Sequence, residues 1–161
     1  MKIGVISDTH LTAVDDRFTR LVRRYFSDVD VIVHAGDIVE ESVFRFLSTW
    51  HLMAVRGNMD RGTLAESLPK KRIEELEGKR IGITHGWGSP DGLPVRVLEE
   101  FRSDTVDCVV FGHSHAPFLG NQQGVLMLNP GSPTDKRFAE KNTLGFLTIA
   151  NNTITGEIQE I

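Results

Sequence analysis

The chain has 161 residues, a formal net charge of −4, 40% apolar residues and 25% charged residues. That composition suits one globular domain spanning residues 1–161 with a core of ordinary size. The acidic balance argues against general binding to nucleic acid, and no apolar run is long enough to span a bilayer. The first residues lack the charged-then-apolar layout of a signal peptide and read as a strand. The single cysteine, Cys108, lies in a strand-like run and has no internal disulfide partner. A cytoplasmic setting is therefore expected, with Cys108 as a small buried apolar residue.

In chain order, the front of the sequence alternates strand and helix. Residues 2–6 form the first apolar run. Residues 16–28 follow as a helix, with Phe18, Leu21, Val22, Tyr25 and Phe26 on one stripe. Its Arg17, Arg20 and Arg24 share the opposite, solvated face. Residues 29–33 give a second strand, and residues 41–50 a second helix carried by Val43, Phe46, Leu47 and Trp50. A third strand is expected at 52–55, and Pro69 limits any helix in 64–71. Lys70, Lys71 and Arg72 read as a polar loop able to attract anions. Residues 72–76 and 79–84 flank Glu77-Gly78 as a hairpin. A helix at 93–102 rests on Val97, Leu98 and Phe101, and a strand follows at 109–111. Beyond His115 only strand-like runs remain, at 125–129, 144–150 and 153–158, the last two joined at Asn151-Asn152. The βαβαβ opening implies a parallel sheet, and the later strands imply a second sheet packed on it with helices outside.

Five of these strands end in residues able to bind a metal. The first leads to Asp8 and His10, the second to Asp37, and the third to Asn58. The run ending at Thr84 leads to His85, and residues 109–111 lead to His113 and His115. Open α/β sheets bind ligands at the carboxyl ends of their strands, so five parallel strands in one sheet would collect all seven groups along one edge. The i, i+2 spacing of Asp8 with His10, and of His113 with His115, points each pair one way in extended backbone. Gly36, Gly57 and Gly112 each precede a candidate ligand and allow close approach. Seven N and O donors exceed the four that a structural zinc usually takes. They suit two divalent ions about 3.5–4 Å apart sharing one carboxylate. Two such ions against Asp8 and Asp37 leave a net positive site, which suits a phosphate ester. His34 and His51 read as structural, the first buried and hydrogen-bonded, the second near a helix C-terminus.

Asp8-x-His10, Gly36-Asp37, Gly57-Asn58-x-Asp60, His85-Gly86 and Gly112-His113-Ser114-His115, in this order, resemble the calcineurin-like metallophosphoesterases. Asn129-Pro130-Gly131-Ser132 and the short length resemble the small phosphodiesterase branch related to Vps29. The resemblance implies an α/β fold, a four-layer αββα sandwich of two mixed sheets flanked by helices. It implies one metal held by Asp8, His10, Asp37 and His115, and a second by Asp37, Asn58, His85 and His113, with Asp37 bridging. It implies hydrolysis of a small phosphodiester by a hydroxide between the metals, with Asp37, Asn58 and His85 central to catalysis. Manganese is the first choice of metal, and nickel, cobalt, iron and zinc suit the same donors. Asn58 and Trp87 are the candidate substrate contacts, and Arg137 is a further candidate for phosphate. Many relatives carry a leaving-group histidine where this chain has Met59, so a preference for activated diesters is expected, and the orienting role of Asp60 loses its usual partner. The competing function is a Vps29-like scaffold or protein-binding module that keeps its metal sites. A single-metal sensor is the weaker third. Small members of this fold often pair, so a homodimer or higher oligomer is the expected alternative to a monomer.

Overall fold

The computed structural model describes residues 1–136 and 139–161. Arg137 lies outside the described residues. The element order is β1 (Lys2–Ile6), α1 (Asp16–Tyr25), β2 (Val31–His34), α2 (Glu41–Leu47), β3 (Leu52–Ala54), α3 (Gly62–Ser67), β4 (Lys71–Leu76), β5 (Lys79–Thr84), α4 (Leu93–Glu100), β6 (Cys108–Val110), β7 (Phe118–Gln122), β8 (Val125–Asn129), β9 (Thr143–Ala150) and β10 (Thr153–Glu160). Two five-stranded sheets form, in the orders β10-β9-β1-β2-β3 and β4-β5-β6-β8-β7. Each is mixed. β1, β2 and β3 run parallel, as do β5, β6 and β8, while β9, β10, β4 and β7 pair antiparallel at the flanks.

The five ligand-bearing strands therefore do not share one sheet. β1, β2 and β3 belong to the first, and β5 and β6 to the second. The hairpin at Glu77-Gly78 starts a new sheet because β4 and β5 satisfy each other's backbone across six residue pairs. The helices run shorter than their apolar stripes. Phe26 caps α1, its N–H bonding to the Val22 carbonyl. After α2 the N–H groups of Thr49 and Trp50 bond three residues back, to Phe46 and Leu47. β7 is an edge strand whose residues alternate between half-buried and exposed, so it carries no continuous apolar run to announce it.

The apolar runs are continuous because the central strands are covered on both faces. Ile3, Val5, Val31 and Val33 meet Ile81, Ile83, Cys108, Val110 and Leu128 between the sheets. Ile6, Ile32 and Ala54 face the other way, under Phe18 and Val22 of α1, Val43 and Leu47 of α2 and Leu64 of α3. Val109 and Met127 face Leu93, Val97 and Phe101 around α4. Gly4 and Gly82 make room for this packing. A Cβ on Gly4 would lie 2.6 Å from Phe26, and one on Gly82 2.6 Å from Phe101. The layers are thus helix, sheet, sheet, helix. None of the helices among the described residues is long and apolar enough to cross a membrane.

Cys108 is fully buried between the sheets, and burial pushes its thiol well above the ordinary range. Cys108→Ala should lower stability by ~1 kcal/mol, the worth of one buried methylene-sized group and the gap it leaves. Urea unfolding will read that loss, and metal-dependent activity should be unchanged.

Candidate metal centre

The strands of both sheets deliver their terminal residues to one place. Asp8 and His10 follow β1, Asp37 follows β2, and Asn58 follows β3. His85 follows β5, and His113 and His115 follow β6. The paired ligands do not sit in extended backbone. Asp8, His10, Asp37, His113 and His115 take left-handed φ values of 54°, 46°, 58°, 74° and 56°. Each strand curls as it leaves the sheet, and the curl keeps both members of a pair at the site. Such backbone costs roughly 1–3 kcal/mol per non-glycine residue and clusters at functional sites.

The glycines let the ligand loops approach one another, both within the first sheet and between the sheets. A Cβ on Gly57 would lie 2.0 Å from Asp37 Oδ1, and one on Gly112 would lie 1.9 Å from Ser7 Oγ. Gly36 has φ of 95°, and a Cβ there would meet His85 Nδ1 at 2.7 Å.

Two groups of donor atoms face each other across Asp37. Its Oδ2 lies 3.5 Å from His10 Nε2 and 3.3 Å from His85 Nε2. On one side, Asp8 Oδ1 lies 3.4 Å from His115 Nε2 and 3.9 Å from His10 Nε2. On the other, Asn58 Oδ1 lies 3.2 Å from His85 Nε2 and 3.0 Å from His113 Nδ1. Carbonyls accept only, so the nitrogen facing one carries the proton. His85 Nδ1–H therefore donates to the Ala35 carbonyl at 2.7 Å, and His113 Nε2–H to the Gly88 carbonyl at 2.9 Å. Those bonds aim His85 Nε2 and His113 Nδ1 at the shared centre, the usual device for orienting metal-binding histidines. Asp8 also lies near His85, 3.9 Å from Nε2, so Asp8, Asp37 and His85 form a second compact donor group beside Asp8, His10 and His115.

The donor set fits divalent cations. Asp8 Oδ1 is fully buried and accepts no hydrogen bond among the described residues. A buried, unpaired carboxylate oxygen ringed by imidazole nitrogens is unstable unless a cation satisfies it. Burial pushes the Asp8 carboxyl up to about 7, against the charge of His85 and the Ser7 hydroxyl. Burial also disfavours ionised Asp37, yet the hydrogen bond and charge of His85, with the Met59 N–H, hold it below the usual carboxylate range. Burial alone would lower His85, but the hydrogen bond to Asp37 and the charges of Asp8 and Asp37 raise it to about 9.

A second layer holds these groups. Asp60, buried, accepts the N–H groups of Asp37 at 3.0 Å, Val39 at 2.7 Å and Gly57 at 2.7 Å. It therefore orients the Asp37 turn directly, with no histidine at position 59 needed. Met59 donates its backbone N–H to Asp37 Oδ1 at 2.7 Å. His34 is fully buried and kept neutral, its pKa pushed down to about 3 by burial. Its Nδ1 accepts the Gly36 N–H at 3.2 Å, so its other nitrogen donates to Thr9 Oγ1 at 3.3 Å. The Asn129–Ser132 turn braces the site. Asn129 Nδ2 donates to the Gly112 carbonyl at 2.9 Å, and Ser132 Oγ to the Asp8 carbonyl at 2.7 Å. Asp135 lies 3.5 Å from His115 Nδ1. No spacing in the sequence marks Asp135 or Ser7. Their roles arise where distant segments cross.

Trp87 is 49% exposed and lines a cleft with Asn58 and His85. The basic triplet splits. Lys71 and Arg72 belong to β4, where Lys71 pairs with Asp104 and Arg72 with Glu74, so only Lys70 remains on the loop facing the cleft.

The pattern of the calcineurin-like phosphoesterase superfamily domain matches residues 1–152. The chain belongs to that superfamily. A probable metallophosphoesterase of Methanocaldococcus jannaschii is 38% identical over 148 residues, covering 89% of this chain and 74% of that one. A phosphodiesterase of the same organism is 30% identical, covering 81% of this chain and 83% of that one. Vps29 of Chaetomium thermophilum has the same fold, with a TM-score of 0.78 at 21% identity over 99% of this chain and 96% of that one. The phosphoesterase family thus combines a metal-dependent chemistry with a donor set in this chain that suits it.

Two outcomes test the construction of the site. Asp60→Ala leaves three backbone donors without an acceptor, so it should cost at least about 2 kcal/mol of stability and weaken metal uptake, read by urea unfolding and metal titration. Cation binding must also displace the protons that Asp8 holds below about 7 and His85 below about 9. Uptake at pH 6–7 should therefore release protons, and affinity should rise with pH toward 9. Calorimetry in buffers of differing ionisation enthalpy measures both.

Proposed function

We propose that this metallophosphoesterase is a two-metal phosphodiesterase. The observation that carries the reading is the position of Asp37 Oδ2, 3.5 Å from His10 Nε2 and 3.3 Å from His85 Nε2, between two sets of N and O donors. Asp8, His10, Asp37 and His115 would hold one ion, and Asp37, Asn58, His85 and His113 the other. Bound there, the pair supplies a hydroxide near neutral pH and neutralises charge building on the phosphate. Manganese leads the choice among metals that accept mixed N and O donors without thiolate. The donor chemistry, together with a relative named a phosphodiesterase, supports this reading.

The chain's own residues set the course of the reaction. The Asn58 side chain, exposed at the mouth, presents an amide to an incoming phosphate oxygen. His85 and His113 are fixed by carbonyls behind them, so neither needs to reorganise when substrate arrives. Met59 is 42% exposed beside Asn58 and has no proton to give a leaving group. Substrates whose leaving groups depart without protonation are favoured. A small phosphodiester in the cell interior is the expected substrate.

The scaffold reading rests on the shared fold with Vps29 alone. A scaffold has no physical need for seven convergent donors, two strained ligand pairs and a buried unpaired carboxylate oxygen.

Asp37→Ala should abolish turnover of an aryl phosphodiester and lower metal content per chain, read by steady-state kinetics and elemental analysis. Wild-type turnover with two metals retained would overturn the bridging assignment. The protein should hydrolyse activated diesters faster than alkyl phosphomonoesters under the same metal, and the opposite order would remove the significance given to Met59.

A further inference from the structure

A cleft of about 420 Å³ opens from the candidate metal centre, lined by Asn58 and His85 at one end and by Arg56, Lys70, Trp87 and Glu100 beyond. Its volume lies within the range of small-molecule sites. Four large apolar side chains among the described residues are conspicuously exposed, and two of them, Met59 and Trp87, follow the motifs carrying Asn58 and His85. A tryptophan left half in solvent beside a reaction centre calls for a reason, because burying it would favour folding.

The loop that carries Trp87 is pinned in place. Arg96 of α4 donates to the Trp87 carbonyl through Nε at 3.3 Å and Nη2 at 3.1 Å, to the Asp91 carbonyl through Nη1 at 2.7 Å, and to the Ser89 carbonyl. His113, itself a candidate ligand, holds the Gly88 carbonyl from the other side. The indole is therefore presented on a fixed backbone at a set distance from the metal centre. Preorganisation of this kind lowers the ordering cost of binding a flat ring.

The polar lining narrows the occupant. Lys70 makes no ion pair among the described residues and faces the cleft, where it attracts an anionic diester. Glu100 also lines it, accepting from Thr84 Oγ1 at 3.0 Å. A carboxylate in that position repels a second phosphate but accepts N–H groups. An aromatic platform, Lys70 without an ion pair among the described residues, Arg56 committed to the Ala65 carbonyl, and one carboxylate match a nucleoside better than a pyrophosphate.

Building on the phosphodiesterase reading, we propose that the cleft between Trp87 and Lys70 binds a nucleobase, so that the substrate is a nucleotide phosphodiester. Its phosphorus sits at the metal centre and its base stacks on the Trp87 indole. Hydrolysis adds water across one P–O ester bond, giving a nucleoside monophosphate and an alcohol.

The test measures binding apart from turnover. Adenosine 5′-monophosphate and ribose 5-phosphate are titrated calorimetrically into manganese-loaded wild type, Trp87→Ala and Trp87→Phe. Wild type should bind the nucleotide about tenfold more tightly than the sugar phosphate, the order expected of one base–aromatic stack. Trp87→Ala should erase that difference while leaving ribose 5-phosphate affinity unchanged, and Trp87→Phe should keep most of it. Trp87 is surface-exposed, so all three proteins should unfold at similar temperatures. Equal affinity of wild type for the two ligands, or a difference that survives Trp87→Ala, overturns the subsite. Aryl diester hydrolysis followed in the same preparations separates the two readings. Turnover without base discrimination sinks only the nucleobase subsite, whereas discrimination without turnover sinks the phosphodiesterase reading and the nucleotide diester as substrate, leaving the base subsite alone.

Discussion

Two carboxylates, Asp8 and Asp37, are buried side by side where the carboxyl edges of the two sheets meet. Burying like charges so close costs several kcal/mol for each ion unless something opposes it. The surrounding structure supplies that opposition. Imidazoles from both sheets face the pair, Asp60 gathers the backbone around Asp37, and the His113 N–H donates to Asp8 Oδ2 at 3.0 Å. The partition of the raised and lowered groups follows. Burial raises Asp8 to about 7 against His85, Ser7 and the His113 N–H, whereas at Asp37 the hydrogen bond and charge of His85, with the Met59 N–H, outweigh burial and keep it ionised.

This arrangement requires the sheets to approach more closely than side chains normally allow. Gly36 and Gly112 stand at the contact and Gly57 between the neighbouring loops after β2 and β3, each where a single methyl group would strike a ligand or its support. The left-handed turns serve the same end. A strand that continued straight would carry His10 and His115 past the centre, and the curl returns them to it. Strain at those five residues is sustained by the large core between and outside the sheets.

The site and the cleft beside it share a backbone. His113 reaches Asn58 with one nitrogen and the Trp87 loop with the other, through Gly88. The Trp87 loop and the donor geometry at the centre are thus held by one imidazole. The position after Asn58 is apolar and exposed, so the chain offers no side-chain proton donor there.

Much of this was legible in the residues. Glycine before a polar residue, at the end of a short apolar run, marks Asp37, Asn58 and His113, and the i, i+2 pairs and the run ending at Thr84 mark the other four candidates, so all seven candidate donors and most strands were readable one segment at a time. Periodicity also located α1, α2 and α4, though each ends short of its stripe because the last apolar residues pack from turns rather than from helix. What no local pattern contained was the division of five parallel-looking strands between two sheets, the edge strand β7, and the left-handed backbone of the ligands. Sheet membership depends on which strand edges pair at long range, and strain is tolerated only when a completed core enforces it. The same holds for the contacts of Asp60 with Asp37 and of Asp135 with His115, 23 and 20 residues apart, and for the cleft, whose lining runs from Arg56 to Glu100. Sequence determined which chemistry the chain carries, because side-chain type and local spacing are intrinsic to it. Only the tertiary structure decided where those groups converge, because convergence is set by how two buried sheets pack.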